Sequence, residues 1–233
     1  MSGAARDRER CEALIEACRE LPRLGLTYGT SGNVSVRRDA DSFFVSPSGL
    51  AYATLEPEDI PLLRLDGRWY GRCRPSSEWR FHRDIFAARP EVGAIVHAHP
   101  RHATALACTG RGIAAFHYMV AVAGGADIRC APYHTFGTQA LSAAAVAALE
   151  DRRACLLAHH GIIALGADVH AALSLAAQVE DLAAQYVTAL AIGGVTVLDA
   201  AEMAKVVEKF RTYGRQDAQD ADLTQAGPSA PAD

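Results

Sequence analysis

The sequence predicts an α/β protein of the α+β type, with a central mixed, largely antiparallel β-sheet flanked by helices on its faces. Three observations carry this prediction. Short, often β-branched segments are joined by links too short for βαβ crossovers, apolar residues recur at helical spacing before and after them, and 233 residues at 50% apolar content close one sizeable core but are marginal for two. A single domain over residues 1–215 is therefore expected.

Each element has its own signal. Cys11, Leu14, Ile15, Cys18 and Leu21 repeat at the spacing of a helix, which Pro22 and Gly25 close. Strands are predicted at Asn33–Arg37, Phe43–Ser46 and Ile60–Leu65, separated by Asp39–Asp41, Ser48–Gly49 and the Asp66–Gly67 turn. A helix capped around Ser76–Ser77 runs through Trp79, Phe81, Ile85 and Phe86 until Pro90. Ala94–His99 reads as a strand, and Pro100 opens a helix toward Thr109. Thr138–Glu150 reads as helix, Ala154–His159 and Ile162–Leu165 as buried strands, Asp168–Ile192 as a long helix with an Asp cap, and Ala200–Tyr213 as the last helix. From Gln216 the chain turns polar and acidic, so residues 216–233 are expected to form a disordered tail.

Composition narrows the function. A net charge of −4 without basic blocks offers nucleic acid no docking surface. No apolar run reaches the roughly 18 residues that cross a bilayer, and the charged start Asp7-Arg8-Glu9-Arg10 does not resemble a signal peptide, so no membrane partner and a cytoplasmic location are expected. The six cysteines form no C-x-x-C pair and read as reduced thiols packed in or near the core. The only two lysines, Lys205 and Lys209, lie in the last helix, far from any position suited to Schiff-base chemistry. Carbonyl chemistry here would call for a metal electrophile.

The metal signal is Val96-His97-Ala98-His99-Pro100. On a strand, alternate side chains share a face, so His97 and His99 can point at one ion. Imidazole suits zinc, and a catalytic site needs about three protein ligands with an exchangeable position. A lone histidine beside an apolar strand is more often a core residue, but two at i and i+2 followed by His159-His160-Gly161 at a later strand end are harder to explain that way. Consecutive strand residues face opposite ways, so only one of His159 and His160 is expected to ligate. His82, His102, His117, His134 and His170 have no comparable spacing and default to solvated or structural roles.

Three small-residue turns suggest an anion site. Gly29-Thr30-Ser31-Gly32-Asn33 and Ser46-Pro47-Ser48-Gly49 are loops with exposed hydroxyls, and Ser76 and Ser77 stand at a helix start. Any one alone reads as turn or cap chemistry. Together, near a metal, they point to a phosphorylated substrate.

These pieces, in this order, resemble the class II aldolase/adducin family, and within it the branch acting on L-fuculose 1-phosphate. The runs Gly32-Asn33-Val34-Ser35-Val36-Arg37, Pro75-Ser76-Ser77-Glu78-Trp79-Arg80-Phe81-His82, His117-Tyr118-Met119 and Thr135-Phe136-Gly137 extend the likeness from about residue 10 to 214. The resemblance implies a three-layer fold and one zinc ion per subunit, bound by His97, His99, His160 and Glu78, thereby selecting His160 over His159. It implies that Thr30, Gly32, Asn33, Ser48, Gly49, Ser76 and Ser77 hold the phosphate, that Phe136 faces the aldehyde, and that Glu78, Tyr118 and Tyr213 are catalytic, Tyr118 reaching a neighbouring subunit of a four-fold homotetramer. The implied reaction is reversible cleavage of a ketose 1-phosphate, L-fuculose 1-phosphate or a close relative, to dihydroxyacetone phosphate and an aldehyde through a zinc-stabilised enediolate. An aldolase or dehydratase acting on 5-deoxyribulose or methylthioribulose 1-phosphate keeps the same residues. A pentulose 5-phosphate 4-epimerase is less suited, because aspartate stands there in place of Glu78. An adducin-like interaction module without catalysis would be expected to have lost ligands, and none is lost. His134 departs from the pattern, since the fuculose branch carries a small residue there.

Overall fold

The computed structural model describes residues 2–212, so the expected tail and Tyr213 lie outside the described residues. Helix α1 (Gly3–Arg23) starts where the Ser2 hydroxyl accepts from Ala5 N at 3.3 Å. Its predicted stripe Cys11, Leu14, Ile15, Cys18 and Leu21 is buried. Pro22 sits inside the last turn without ending the helix, and the chain turns at Gly25 with φ +68°.

The sheet follows: β1 (Asn33–Arg37), β2 (Ser42–Val45), β3 (Leu62–Arg64), β4 (Trp69–Tyr70), β5 (Ala94–Ala98), β6 (Arg129–Ala131), β7 (Ala154–Leu157) and β8 (Gly161–Gly166). Its spatial order is β4-β3-β2-β1-β5-β8-β7-β6, and every neighbouring pair is antiparallel except β6 with β7. The helices are α2 (Trp79–Ala88), α3 (Arg101–Ala107), α4 (Gln139–Ala148), α5 (Val169–Ala191) and α6 (Ala200–Phe210). The predicted α+β class with helices on both sheet faces is the observed one.

Four local readings are corrected. β4 and β6 carry two and three residues, too few to display an alternation in sequence. Helix α4 joins the parallel strands β6 and β7, so one βαβ crossover exists among otherwise short links. Helix α2 is not capped by a serine side chain: its N-cap is Glu78, and the Ser76 hydroxyl accepts from Glu78 N at 3.3 Å one step earlier. The strand expected over Ala154–His159 ends at Leu157.

Alternation along the strands sorts two cores. Val34, Ala94, Val96, Ala98, Ile162 and Ala164 face α1, α3 and α5. Ile95, Ile163, Leu165 and Cys155 face the other way and pack with Phe81, Ile85 and Phe86 of α2 and Leu141 of α4. Of the six free cysteines, Cys11, Cys18 and Cys155 are buried, whereas Cys108 is exposed at the end of α3, contrary to the expectation that all lie in or near the core. No described helix is long and apolar enough to cross a membrane.

Arg37, at the end of β1, ties α2 to the sheet. Its guanidinium donates to the carbonyls of Val92, Phe86 and Arg89 at 2.7, 2.8 and 2.9 Å and lies over the Phe86 ring at 4.7 Å. An ammonium is a point donor and cannot span three carbonyls from one plane. Arg37→Lys is therefore expected to cost about 1–3 kcal/mol of stability, read as a lowered midpoint in urea unfolding with little change in slope.

Candidate metal centre and phosphate pocket

Strand register assembles the polar site on the α2 face of the sheet. Asn33 of β1 lies opposite His97 of β5, and Ser35 opposite Ile95. Asn33, Ser35 and His97 thus share the face covered by α2, beside Phe81, whose ring meets that of His97 at 5.3 Å. His99 lies just past the end of β5, where its N–H donates to Leu26 O at 3.0 Å. His160 comes from the three-residue turn between β7 and β8.

That turn decides between the two adjacent histidines. His159 takes a left-handed conformation, φ +56°, which costs about 1–3 kcal/mol for a residue with a β-carbon. Its N–H bonds Ala107 O at 3.3 Å, and its ring meets the Tyr133 ring edge-on at 5.9 Å. The strand-alternation argument does not apply, because neither histidine is in a strand; turn geometry sends His160 toward His97 and His99 instead. Gly161 makes the approach possible: a β-carbon there would sit 2.3 Å from Ala98 O and 2.6 Å from His99 Cδ2.

The rings of His97, His99 and His160 lie 4.7 to 5.0 Å apart, centre to centre. Glu78 completes the group: Oε2 is 3.2 Å from His97 Nε2, and Oε1 is 3.2 Å from His160 Nε2. One ligand atom from each of the four residues falls within 4.8 Å of the others. Bonds of about 2.0–2.2 Å to one ion separate neighbouring donors by about 3–3.5 Å, which matches these spacings.

The protonation pattern fits a cation as well. Ile162 O can only accept, so at 2.8 Å it takes the Nδ1 proton of His97 and leaves Nε2 as a lone pair facing the group. His99 Nε2 lies 2.8 Å from that same lone pair. Burial, with His97 and His160 nearby, pushes His99 down to about 3, so it is a neutral imidazole. Burial also pushes the Glu78 carboxyl up, but His97 and His160 outweigh it and hold the acid well below the usual carboxylate range. Its Oε1 is buried without a hydrogen bond. An ionised carboxylate among three imidazoles is a ligand set that can hold a divalent metal.

The anion loops open onto the same pocket, a cavity of ≈ 390 Å³ lined by every residue expected to contact substrate: Thr30, Gly32, Asn33, Ser48, Gly49, Ser76, Ser77 and Phe136. The loops are stitched together. Pro47 and Pro75 form an antiparallel bridge, Ser48 N bonds Arg74 O at 3.0 Å, and Ser76 N bonds Ser46 O at 3.0 Å. Gly32 has φ +101°, and a β-carbon there would meet His97 O at 2.9 Å, so glycine lets this loop lie against the metal strand.

Two pocket-lining residues, Tyr133 and His159, and the buried His82 behind the pocket were missed in the sequence, whereas His134 was marked there as a departure from the pattern. Tyr133, His134 and His159 line the cavity beside Phe136. His82, defaulted to a structural role, is buried and bonded to Asn33; its position four residues beyond Glu78 on one helix face was the available signal. Tyr118 stacks on His117 at 4.9 Å and is half exposed, and it is not among the residues lining this chain's pocket.

A three-layer chain with a three-histidine, one-glutamate cluster beside a lysine-free anion loop defines a metal-site α/β protein. The sequence pattern of the family described as Class II Aldolase and Adducin N-terminal domain matches residues 12–187, and the chain belongs to that family. It is 56% identical over 201 residues to the 5-methylthioribulose-1-phosphate/5-deoxyribulose-1-phosphate aldolase of Rhodospirillum rubrum, covering 86% of this chain and 90% of that protein. It is 48% identical over 202 residues to the L-fuculose phosphate aldolase of Escherichia coli K12, covering 86% and 94%. A solved L-fuculose 1-phosphate aldolase superposes with a TM-score of 0.84 at 38% identity, over 87% of this chain and 96% of that one.

The turn geometry makes a direct prediction. After chelator treatment, adding zinc to about a thousand times its Kd is expected to stabilise the native chain by about 4 kcal/mol. His160→Ala should abolish that gain in a thermal melt, while His159→Ala should keep it.

Proposed function

We propose that this chain is a zinc-dependent aldolase that cleaves a ketose 1-phosphate to dihydroxyacetone phosphate and an aldehyde, working in the cytoplasm. The observation that carries the reading is that the metal-ligand cluster and the stitched small-residue loops share one pocket. His97, His99, His160 and Glu78 would hold the ion. When bound, zinc supplies a Lewis acid that polarises a carbonyl and stabilises charge on its oxygen.

The chain's own residues do the rest. Backbone N–H groups and hydroxyls of Thr30, Ser48, Gly49, Ser76 and Ser77 surround the phosphate without a charged side chain. Asn33 donates to Glu78 Oε2 at 3.0 Å, and Oε1, 3.2 Å from His160 Nε2, is the oxygen that would take the proton beside the carbonyl once substrate displaces Glu78 from the ion. Burial beneath the loops keeps water from competing for that proton. Tyr118 does not line its own chain's pocket, which supports its serving a neighbouring subunit of a homotetramer, and Tyr213 is assigned a catalytic role on the resemblance alone.

For the aldehyde, the first reading is a 5-deoxy or 5-methylthio ketose 1-phosphate. Tyr133, His134, Phe136 and His159 form an aromatic rim that favours an apolar tail over a polyhydroxylated one, and the R. rubrum relative is named for such substrates. L-Fuculose 1-phosphate is the second reading, supported by the 48% identity to the E. coli enzyme. A retro-aldol assay over both classes should give the 5-deoxy and methylthio compounds a kcat/KM at least about tenfold above L-fuculose 1-phosphate, the ~1.4 kcal/mol that burying one or two apolar groups provides; equal or reversed constants select the second reading. Independently, Glu78→Gln should lower kcat about 10²–10⁴-fold with phosphate inhibition unchanged, and near-normal turnover would remove Glu78 as base.

A further inference from the structure

Behind Glu78 runs a row of buried polar groups that the proposed reaction leaves unused. His82 is wholly buried on α2. Its Nδ1 lies 2.7 Å from Ser35 Oγ and its Nε2 2.5 Å from Asn33 Oδ1, while Asn33 Nδ2 reaches Glu78 Oε2 at 3.0 Å. We propose that His82 is a positioning residue: held in a single tautomer between Ser35 and Asn33, it fixes the Asn33 amide so that its NH₂, and not its carbonyl, faces Glu78.

The direction of the chain follows from donor inventory. The ionised carboxylate of Glu78 only accepts, so the Asn33 group facing it is the NH₂. Its carbonyl oxygen then faces His82, which must carry its proton on Nε2 to donate there. The His82 Nδ1 is left as an acceptor, so the Ser35 hydroxyl donates to it. Three hydrogen bonds therefore run one way, from Ser35 through His82 and Asn33 to the carboxylate. Burial holds His82 neutral, pushing it down to about 3, and a neutral ring is what a one-way chain requires.

The consequence is an asymmetric carboxylate. Oε2 is anchored by the Asn33 amide, whereas Oε1 faces only the His160 ring at 3.2 Å. Without His82, nothing on that side distinguishes the two ends of the Asn33 amide, and a flipped amide would set its carbonyl against Oε2. The ring does pack on Phe81 at 4.6 Å, but an apolar side chain would serve that contact equally well. A histidine with both nitrogens engaged is needed only for the polar chain.

This inference rests on Glu78 being the base, and the test separates the two. Deuterium incorporation into dihydroxyacetone phosphate in D₂O isolates proton removal. His82→Leu and His82→Asn, which lose the donor to Asn33, are expected to slow exchange and kcat about 10–100-fold while KM stays within about threefold. His82→Gln, which can still donate at the Nε2 position, should recover most of that loss. In the metal-free protein, ¹⁵N NMR should find His82 in the neutral Nε2–H tautomer. An Nδ1–H tautomer, or equal exchange by the Asn and Gln variants, overturns the proposal even if the Leu variant fails to fold. Retained exchange in Glu78→Gln would instead overturn the base assignment.

Discussion

A carboxylate taken out of water costs several kcal/mol unless donors or a cation meet it, and the placement of Glu78 is the constraint on which the rest of the site depends. Glu78 is buried at the N-cap of α2, facing the imidazole cluster. One antiparallel register brings its partners together, because pairing β1 with β5 sets Asn33 across from His97. A slip of β1 by one residue against β5 would turn Asn33 and Ser35 into the apolar core against α1 and α5 and place Val34 beside the carboxylate. Core and site therefore specify the same register.

Much of this was legible in the sequence because it rests on local periodicity. The bounds of β1 coincide with the predicted Asn33–Arg37, and His97 and His99 share a face for the reason that strand alternation gives. What escaped depends on tertiary placement. The choice between His159 and His160 is made by a left-handed turn that looks like strand end in one dimension. His82 was passed over because its partners Ser35 and Asn33 lie more than forty residues away in sequence. Asn33 was grouped with the anion loop, and it does line the pocket, but its side-chain amide is committed to the carboxylate.

The pocket has a closed polar floor and an open aromatic mouth. Phe136 is 64% and Tyr133 58% exposed. Rings left in water at the rim of a polar cavity favour a ligand or a second chain that covers them. The strain at His159 belongs to the same feature: the conformation that turns His160 toward the metal group also lays the His159 ring against Tyr133, so the mouth and the metal group are coupled through one turn.

The charge inventory explains why such a site would call on a cation. Beside Glu78, the histidines and the aromatic rim, the cavity is lined by hydroxyls, glycines and an amide, and by no lysine or arginine among the described residues. Lys205, one of the chain's two lysines, pairs with Glu202 on the exposed α6. A phosphate held by neutral donors retains its negative charge, and Glu78 adds another beside it. A cation held by the histidine cluster would stabilise the further negative charge that carbon–carbon cleavage develops on a carbonyl oxygen. The neutral cradle and the nitrogen-rich cluster are thus one solution. A lysine at the phosphate loops would compete for Glu78 and weaken the electrophile, so the absence of cationic side chains is as much a part of the design as the three histidines.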